Sequence, residues 1–388
     1  MTKSDDKRVP VLRFKGFTDE WEQRKLGEIC KVTKLAGFEF TKYVNYSNTG
    51  SILAIRGINV KKGKFNLQDV KYIDNSNFSR LSRSKLQEGD ILFTYVGTIG
   101  NSAIVPKNVN WYLAPNVCLI RPQDKNSSFI SYLIQSDRFQ HEEIPKWITT
   151  SSQPALSMEN IRKFKIILPL NSEQQKISSL VSKIDKLITL QQRKLKLLKL
   201  MKNIVSYNLV VSHKLASNNE IKWKAVYLKD IARIYKSTTI TKKDLLPKGI
   251  PVFGANDYIG FYNKYNHETD QVTICARGAS AGHPNYVKGP VWITGNSMVI
   301  NVDETYINKK FLYTLLTFTD LKRFVTGGAQ PQITRENLNS LKILLPSIKA
   351  QNNLSAIIEN LSINIRKVQL SINSAKRLKQ FLLQNMFI

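Results

Sequence analysis

The sequence predicts a mixed α/β (α+β) protein made twice over. Two duplicated globular domains are expected, separated by two long antiparallel coiled-coil helices and related by a pseudo-two-fold axis. Three observations predict this. First, residues 153–177 read QPALSMENIRKFKIILPLNSEQQKI and residues 330–354 read QPQITRENLNSLKILLPSIKAQNNL, identical at nine of 25 positions. A repeat 177 residues apart is too long for a solenoid and marks duplication of a large unit. Second, each copy opens on a similar phrase, WEQRKLGEIC from Trp21 and WKAVYLKDIA from Trp223. Third, an apolar seam at alternating steps of four and three follows each copy of the repeat.

The elements follow in order. Short runs rich in Ile, Val and aromatics, bounded by Gly, Asn and Pro, read as strands. They lie at 51–60, 89–100 and 114–122 in the first copy, and at 249–257, 270–282 and 295–303 in the second. Helical segments follow at 127–140 and 307–325. The offset between copies falls from 202 at the tryptophan to 181 at Gly97/Gly278 and 177 at the repeat, so the first globule is longer by 25 residues. Different loops on one framework suit two units reading different targets; neutral drift is the other reading.

Each globule leads through Pro169 or Pro346 into a long helix without proline. The first seam is Ile177, Val181, Ile184, Ile188, Gln191, Leu195, Leu198, Lys202, Val205 and Leu209. The second is Leu354, Ile358, Leu361, Ile365, Val368, Ile372, Ala375, Lys379, Leu382 and Met386. At about 1.5 Å rise per residue each seam is roughly 50 Å long, and matching seams should pack on each other. Lys202 and Lys379 sit at corresponding places; they fix register or mark where the seam opens to water. The expected boundaries are 1–150 and 216–328 for the globules, with helical spacers at 151–215 and 329–388.

Composition points to a polyanionic partner. The 58 basic residues against 29 acidic give a net charge of +29. Nucleic acid is the first candidate, double-stranded DNA once the spacing of the two globules is considered, and an anionic membrane surface the second. No stretch approaches a membrane span, the opening MTKSDDKRVPVLRFKGF lacks an apolar signal core, and the three cysteines have no CxxC spacing. A cytoplasmic protein without a metal site is expected. Residues 176–202 carry eight basic residues and one acidic one. That excess forms a solvated face, or meets DNA or an acidic partner.

Candidate DNA contacts lie in turns; any one of them alone reads as an ordinary solvated turn, and as a set on so basic a chain they favour a DNA face. The first globule offers Arg56, Asn59, Lys61, Lys62 and Lys64, then Tyr95, Thr98 and Asn101 around two glycines. The second offers Asn256 and Tyr258, then Arg277, Ser280 and His283. Arg reads guanine bidentately and Asn or Gln reads adenine, while Lys mainly neutralises phosphate. Ser152, Gln153 and Gln330 stand at the start of the repeats, where they touch DNA or close the globule. There is no P-loop, no Asn-Pro-Pro-aromatic element, and no cofactor loop or catalytic constellation, so no catalysis and no cofactor are expected on this chain.

With these residues in view the chain resembles the specificity subunit of type I restriction–modification systems. The resemblance rests on VPVLRFKGFTDEWEQRKLGEI, GDILFTYVGTIG, CARGASAG and the twice-used Gln-Pro…Leu-Pro…Gln segment, and it covers essentially the whole chain. It implies two target-recognition domains, each reading half of a bipartite, asymmetric DNA site. It implies two methyltransferase (modification) subunits that use S-adenosylmethionine to methylate adenine N6. It also implies two restriction (motor–nuclease) subunits that use ATP and Mg to cleave unmethylated DNA. One departure is Ala350–Gln351–Asn352 where the first copy has Glu173–Gln174–Gln175. The alternatives are a coiled-coil interaction scaffold, against which DNA affinity that falls steeply with salt would argue, and a stand-alone DNA-binding protein.

Overall fold

The computed structural model describes residues 9–123, 126–149, 154–210, 222–328 and 330–388. The chain divides into two compact units, one of residues up to Gln192 together with Ser371–Ile388, the other Arg193–Leu370. The division falls inside both long helices.

In the first unit, Glu22–Lys25 pairs antiparallel with Lys165–Leu168, in the repeated segment. A four-stranded antiparallel sheet runs in the order Cys30–Lys34, Val117–Pro122, Ile91–Thr94, Ser102–Ile104. A three-stranded sheet runs Lys71–Tyr72, Leu53–Ile55, Trp111–Leu113. The second unit repeats this order. Lys224–Tyr227 pairs with Lys342–Leu345. The four-stranded sheet is Ala232–Lys236, Ser297–Val302, Gln271–Cys275, Pro284–Val287, and the three-stranded sheet is Tyr258–Tyr262, Ile250–Phe253, Trp292–Ile293. The central strands Ile91–Thr94 and Gln271–Cys275 are buried throughout, which is why most of their residues are apolar on both faces.

One helix packs on each four-stranded sheet, Ser127–Gln135 and Lys309–Phe318. Each starts at an asparagine whose side chain caps it: Asn126 accepts from Phe129 N and Asn308 from Phe311 N. Both helices are shorter than the sequence suggests. The first ends at an extended Ser136 and is followed by a π-turn, Phe139–Glu143; the second ends at an extended Thr319. The opening tryptophans pack on these helices, Trp21 with its ring 6.0 Å from Phe129 and Trp223 6.3 Å from Phe311.

The long helices are Asn171–Val210, 40 residues, and Ile348–Asn385, 38 residues. At about 1.5 Å per residue each is about 60 Å long, a turn or two beyond the seam itself. Within the first unit they run antiparallel. Leu12 N donates to Asn385 O while the adjacent Arg13 binds Glu173, and further along Lys379 Nζ lies 2.8 Å from Asp185 Oδ1. Ile177, Val181, Ile184 and Ile188 share one core with Ala375, Leu382 and Met386. In the second unit Val205 packs against the core that holds Leu354 and Ile358. Val368 and Ile372 are buried, and Leu195, Leu198, Leu361 and Ile365 are half-buried.

The polar seam positions differ between units. Lys379 is fixed: it pairs with Asp185, which also accepts from Tyr132 OH at 3.0 Å, and its ammonium lies 5.4 Å from the Tyr132 ring centre. Burial, with the adjacent Asp185 carboxylate, pushes the Tyr132 phenol well above its ordinary pKa. At the corresponding place in the second unit, Lys202 is half-buried and pairs with no carboxylate among the described residues.

Glu173 is fully buried and takes a bidentate bond from Arg13, Nε to Oε1 and Nη2 to Oε2, both 2.8 Å. The second copy has Ala350 at that position. Arg13→Ala leaves a buried carboxylate unpaired. It should destabilise the protein by about 3–5 kcal/mol, whereas Arg13→Ala with Glu173→Ala should recover much of the loss. Urea unfolding of the three proteins checks this; equal losses in single and double variants would mean the pair does not act as a unit.

Candidate DNA interface

In each unit the buried central strand runs out into a glycine-bearing loop, and the repeated segment stitches that loop down. In the first unit Leu156 N donates to Tyr95 O at 2.9 Å, Tyr95 N donates to Asn116 O at 3.4 Å, and Ala155 bridges both Val96 and Thr149. In the second unit Ile333 N donates to Ala276 O and Ala276 N to Asn296 O, both at 3.0 Å, and Gln332 bridges both Arg277 and Thr326. These are the same connections, position for position. Gly97 and Gly278 turn the two loops at φ +74° and +84°, the left-handed region, with open space where a Cβ would stand. Glycine is needed there for conformation, not for room.

Further bonds shape each loop. Thr94 Oγ1 donates to Thr98 O at 2.5 Å and accepts from Asn101 N at 3.0 Å. In the second unit Gly278 N donates to Pro331 O at 2.8 Å, and His283 N to Ser280 O at 2.9 Å. Ser297 Oγ donates to Gly254 O and Ala255 O, which ties the 254–258 turn beside Asn296. Asn256, Arg277, Ser280, His283 and Gln330 therefore sit on loops bonded to one another, with Tyr258 at the start of its strand beside them, and all six are exposed. Arg277 pairs with no carboxylate among the described residues.

The first unit also joins its loops. Gly57 lies against Asn116 O, the acceptor of Tyr95 N. The hairpin Val60–Lys61/Lys64–Phe65 is fastened by Gly63 N to Ser102 O at 2.8 Å, next to Asn101. Lys61, Lys62, Lys64 and Thr98 are exposed, while Tyr95 and Asn101 are half-buried. Burial raises the Tyr95 phenol above its ordinary pKa, and Lys34 Nζ lies 5.4 Å from the ring centre.

Two first-unit candidates are placed differently from the sequence reading. Asn59 is 1% exposed. Its Oδ1 accepts from Arg56 N, and its Nδ2 donates to Asn66 O and Asp69 O. Both donors of that amide are used, and its burial closes it to a base. Arg56 is tied by Nη2 to Asp69, at 2.8 Å to Oδ1 and 2.9 Å to the carbonyl. Both shape the loop from within. Ser152 and Gln153 lie outside the described residues.

Sequence reasoning passed over Lys34 and Lys236. They sit at the same end of equivalent strands, 202 residues apart like the tryptophans, and both are exposed. The constant offset was the signal that could have found them. No group of three or more His, Cys, Asp or Glu able to hold a metal occurs among the described residues, and no described helix is long and apolar enough to cross a membrane. Cys118 and Cys275 are buried, and that burial pushes both thiols up.

Residues 18–200 and 220–374 match the family model of the type I restriction modification DNA specificity domain, and the chain belongs to this family, whose task is DNA sequence recognition. Among curated relatives, the EcoprrI specificity subunit of Escherichia coli is 24% identical over 287 residues, 70% of this chain and 71% of that protein. The putative MjaX specificity subunit of Methanocaldococcus jannaschii is 24% identical over 397 aligned residues, 92% of this chain and 91% of that protein. The crystal structure of the type I restriction–modification S subunit from M. genitalium has the same fold, with a TM-score of 0.64 at 16% identity over 98% of this chain and 99% of that one.

The two kinds of placement predict different phenotypes. Asn59→Ala removes three hydrogen bonds made by a buried amide and should cost about 1–3 kcal/mol of stability. Arg277→Ala removes an exposed, unpaired side chain and should leave the melting temperature unchanged while weakening DNA binding. Paired thermal melts and binding titrations check both; a stable Asn59→Ala protein with altered recognition would overturn the assignment.

Proposed function

We propose that the chain reads a bipartite, asymmetric DNA site, one half with each globule, and directs adenine methylation or DNA cleavage by partner subunits without catalysing either. The observation that carries this is one hydrogen-bonded loop framework built twice with different residues on its exposed tips: Thr98 in one, Asn256, Arg277, Ser280, His283 and Gln330 in the other. A fixed frame with unlike tips is what two independent readers of unlike half-sites need. Phosphate contacts position such a loop and base contacts specify.

In this reading Tyr95, Asn101 and Tyr258 line the same tips. The seam helices set the unread gap between the half-sites, since half-site spacing follows protein geometry. Two methyltransferase subunits carrying S-adenosylmethionine, and two restriction subunits using ATP and Mg, would supply the chemistry. The net charge of +29 matches a DNA partner.

Exchange of residues 21–150 for the equivalent region of a relative with a different target tests the independence of the two readers. One half of the methylated motif should change and the other stay. A change in both halves would refute independent reading.

A further inference from the structure

The two globules differ most in one connection. In the first unit, residues 56–70 join Leu53–Ile55 to Lys71–Tyr72, 15 residues in all. In the second unit the equivalent strands, Ile250–Phe253 and Tyr258–Tyr262, are joined by residues 254–257, four in all. The extra chain is the hairpin Val60–Lys61/Lys64–Phe65. It has no counterpart in the shorter connection.

The hairpin is built to stand firm. Val60 is fully buried, and Phe65 packs edge-on against Trp111 with ring centres 5.0 Å apart. Gly63 turns it at φ +77° and donates to Ser102 O. A Cβ on Gly63 would stand 2.9 Å from Oε1 of the buried Gln135, so the tip is seated closely on the globule. Behind it, Asn59 and the Arg56–Asp69 pair lock the base of the loop.

What this frame presents is charge alone. Lys61, Lys62 and Lys64 are exposed, and none pairs with a carboxylate among the described residues. The nearby Asp69 is taken by Arg56. Three ammonium groups in four residues, held without counter-charge beside the Thr98–Asn101 loop, suit a row of phosphates. They carry no hydrogen-bond acceptor and no planar fork with which to tell bases apart.

We propose that the 60–65 hairpin is a phosphate clamp peculiar to the first globule: it grips the DNA backbone and adds affinity there, and reads no base. This rests on the DNA-reading function proposed above and assigns one part of that surface to affinity rather than specificity.

The test is a triple variant, Lys61→Gln, Lys62→Gln and Lys64→Gln, in the full chain assembled with its methyltransferase subunits. Duplex binding is titrated across salt concentrations, and the methylated motif is sequenced. Each phosphate left without its lysine should flatten the slope of log K against log salt by about 0.9, so a drop of about 2–3 is expected, with the motif unchanged in both halves. The side chains are exposed, so the melting temperature should not move. An unchanged slope would mean that the hairpin does not touch DNA. A changed motif would make it a reader. Weaker assembly with the methyltransferase at an unchanged slope would make it a protein-docking element. Each of these three overturns the clamp. If instead the unaltered complex shows no sequence-specific, salt-dependent binding, the DNA-reading function itself fails.

Discussion

The structure depends on one recurring set of backbone hydrogen bonds, those made by the segment that the sequence writes twice. Leu156 and Ile333 hold the loop at the end of the buried central strand. A few residues on, Phe164 O and Leu341 O accept from Leu26 N and Leu228 N, and the following four residues pair with the edge strand that opens each copy. Then Gln174 and Gln351 each donate to a proline carbonyl, Pro169 and Pro346, while their amide oxygens accept from Asn126 and Asn308, which cap the packed helices. One stretch of about 25 residues thus ties the loop tip, the edge strand and the start of a long helix. Buried backbone groups must find partners, so the path of this stretch is held even where its side chains differ. That is why the segment recurs while the loops around it do not.

The division between frame and tip follows from the same physics. Residues bonded to the loop from within, such as Thr94, Asn59 and Arg56, set its shape. Residues left exposed without partners, such as Arg277 and the hairpin lysines, are free to meet something else. A charged tip costs little in stability, because water solvates it, and gains when a polyanion arrives. The helices show a similar contrast. A lysine stands at matching seam positions, but only Lys379 has an Asp185 to bind.

Much of this was legible in the sequence. The duplication, the strand runs around Ile91 and Val272, and the seam spacing are periodic or repeated signals; burial follows the seam at 177–188 and at 368–375 and is partial at Leu195, Leu198, Leu361 and Ile365. The type I specificity family was also legible from the ordered set of phrases. What was not legible depends on tertiary partners. Nothing local says that Asn59 turns inward to three backbone groups while Asn256 turns out. Glu173 looks like a variable position in the sequence, yet Arg13, 160 residues away, binds it. The helix 127–140 stops early because Ser136 and the π-turn after it answer to packing, not to apolar periodicity.

The most direct measurement is a methylome. The gene is placed with its methyltransferase subunit in a methylation-free host, and native DNA is sequenced with and without this chain. A new bipartite N6-methyladenine motif that requires the chain is the expected result. Absence of any motif, with the methyltransferase folded and bound, would contradict DNA reading by this chain and favour a scaffold that reads no DNA.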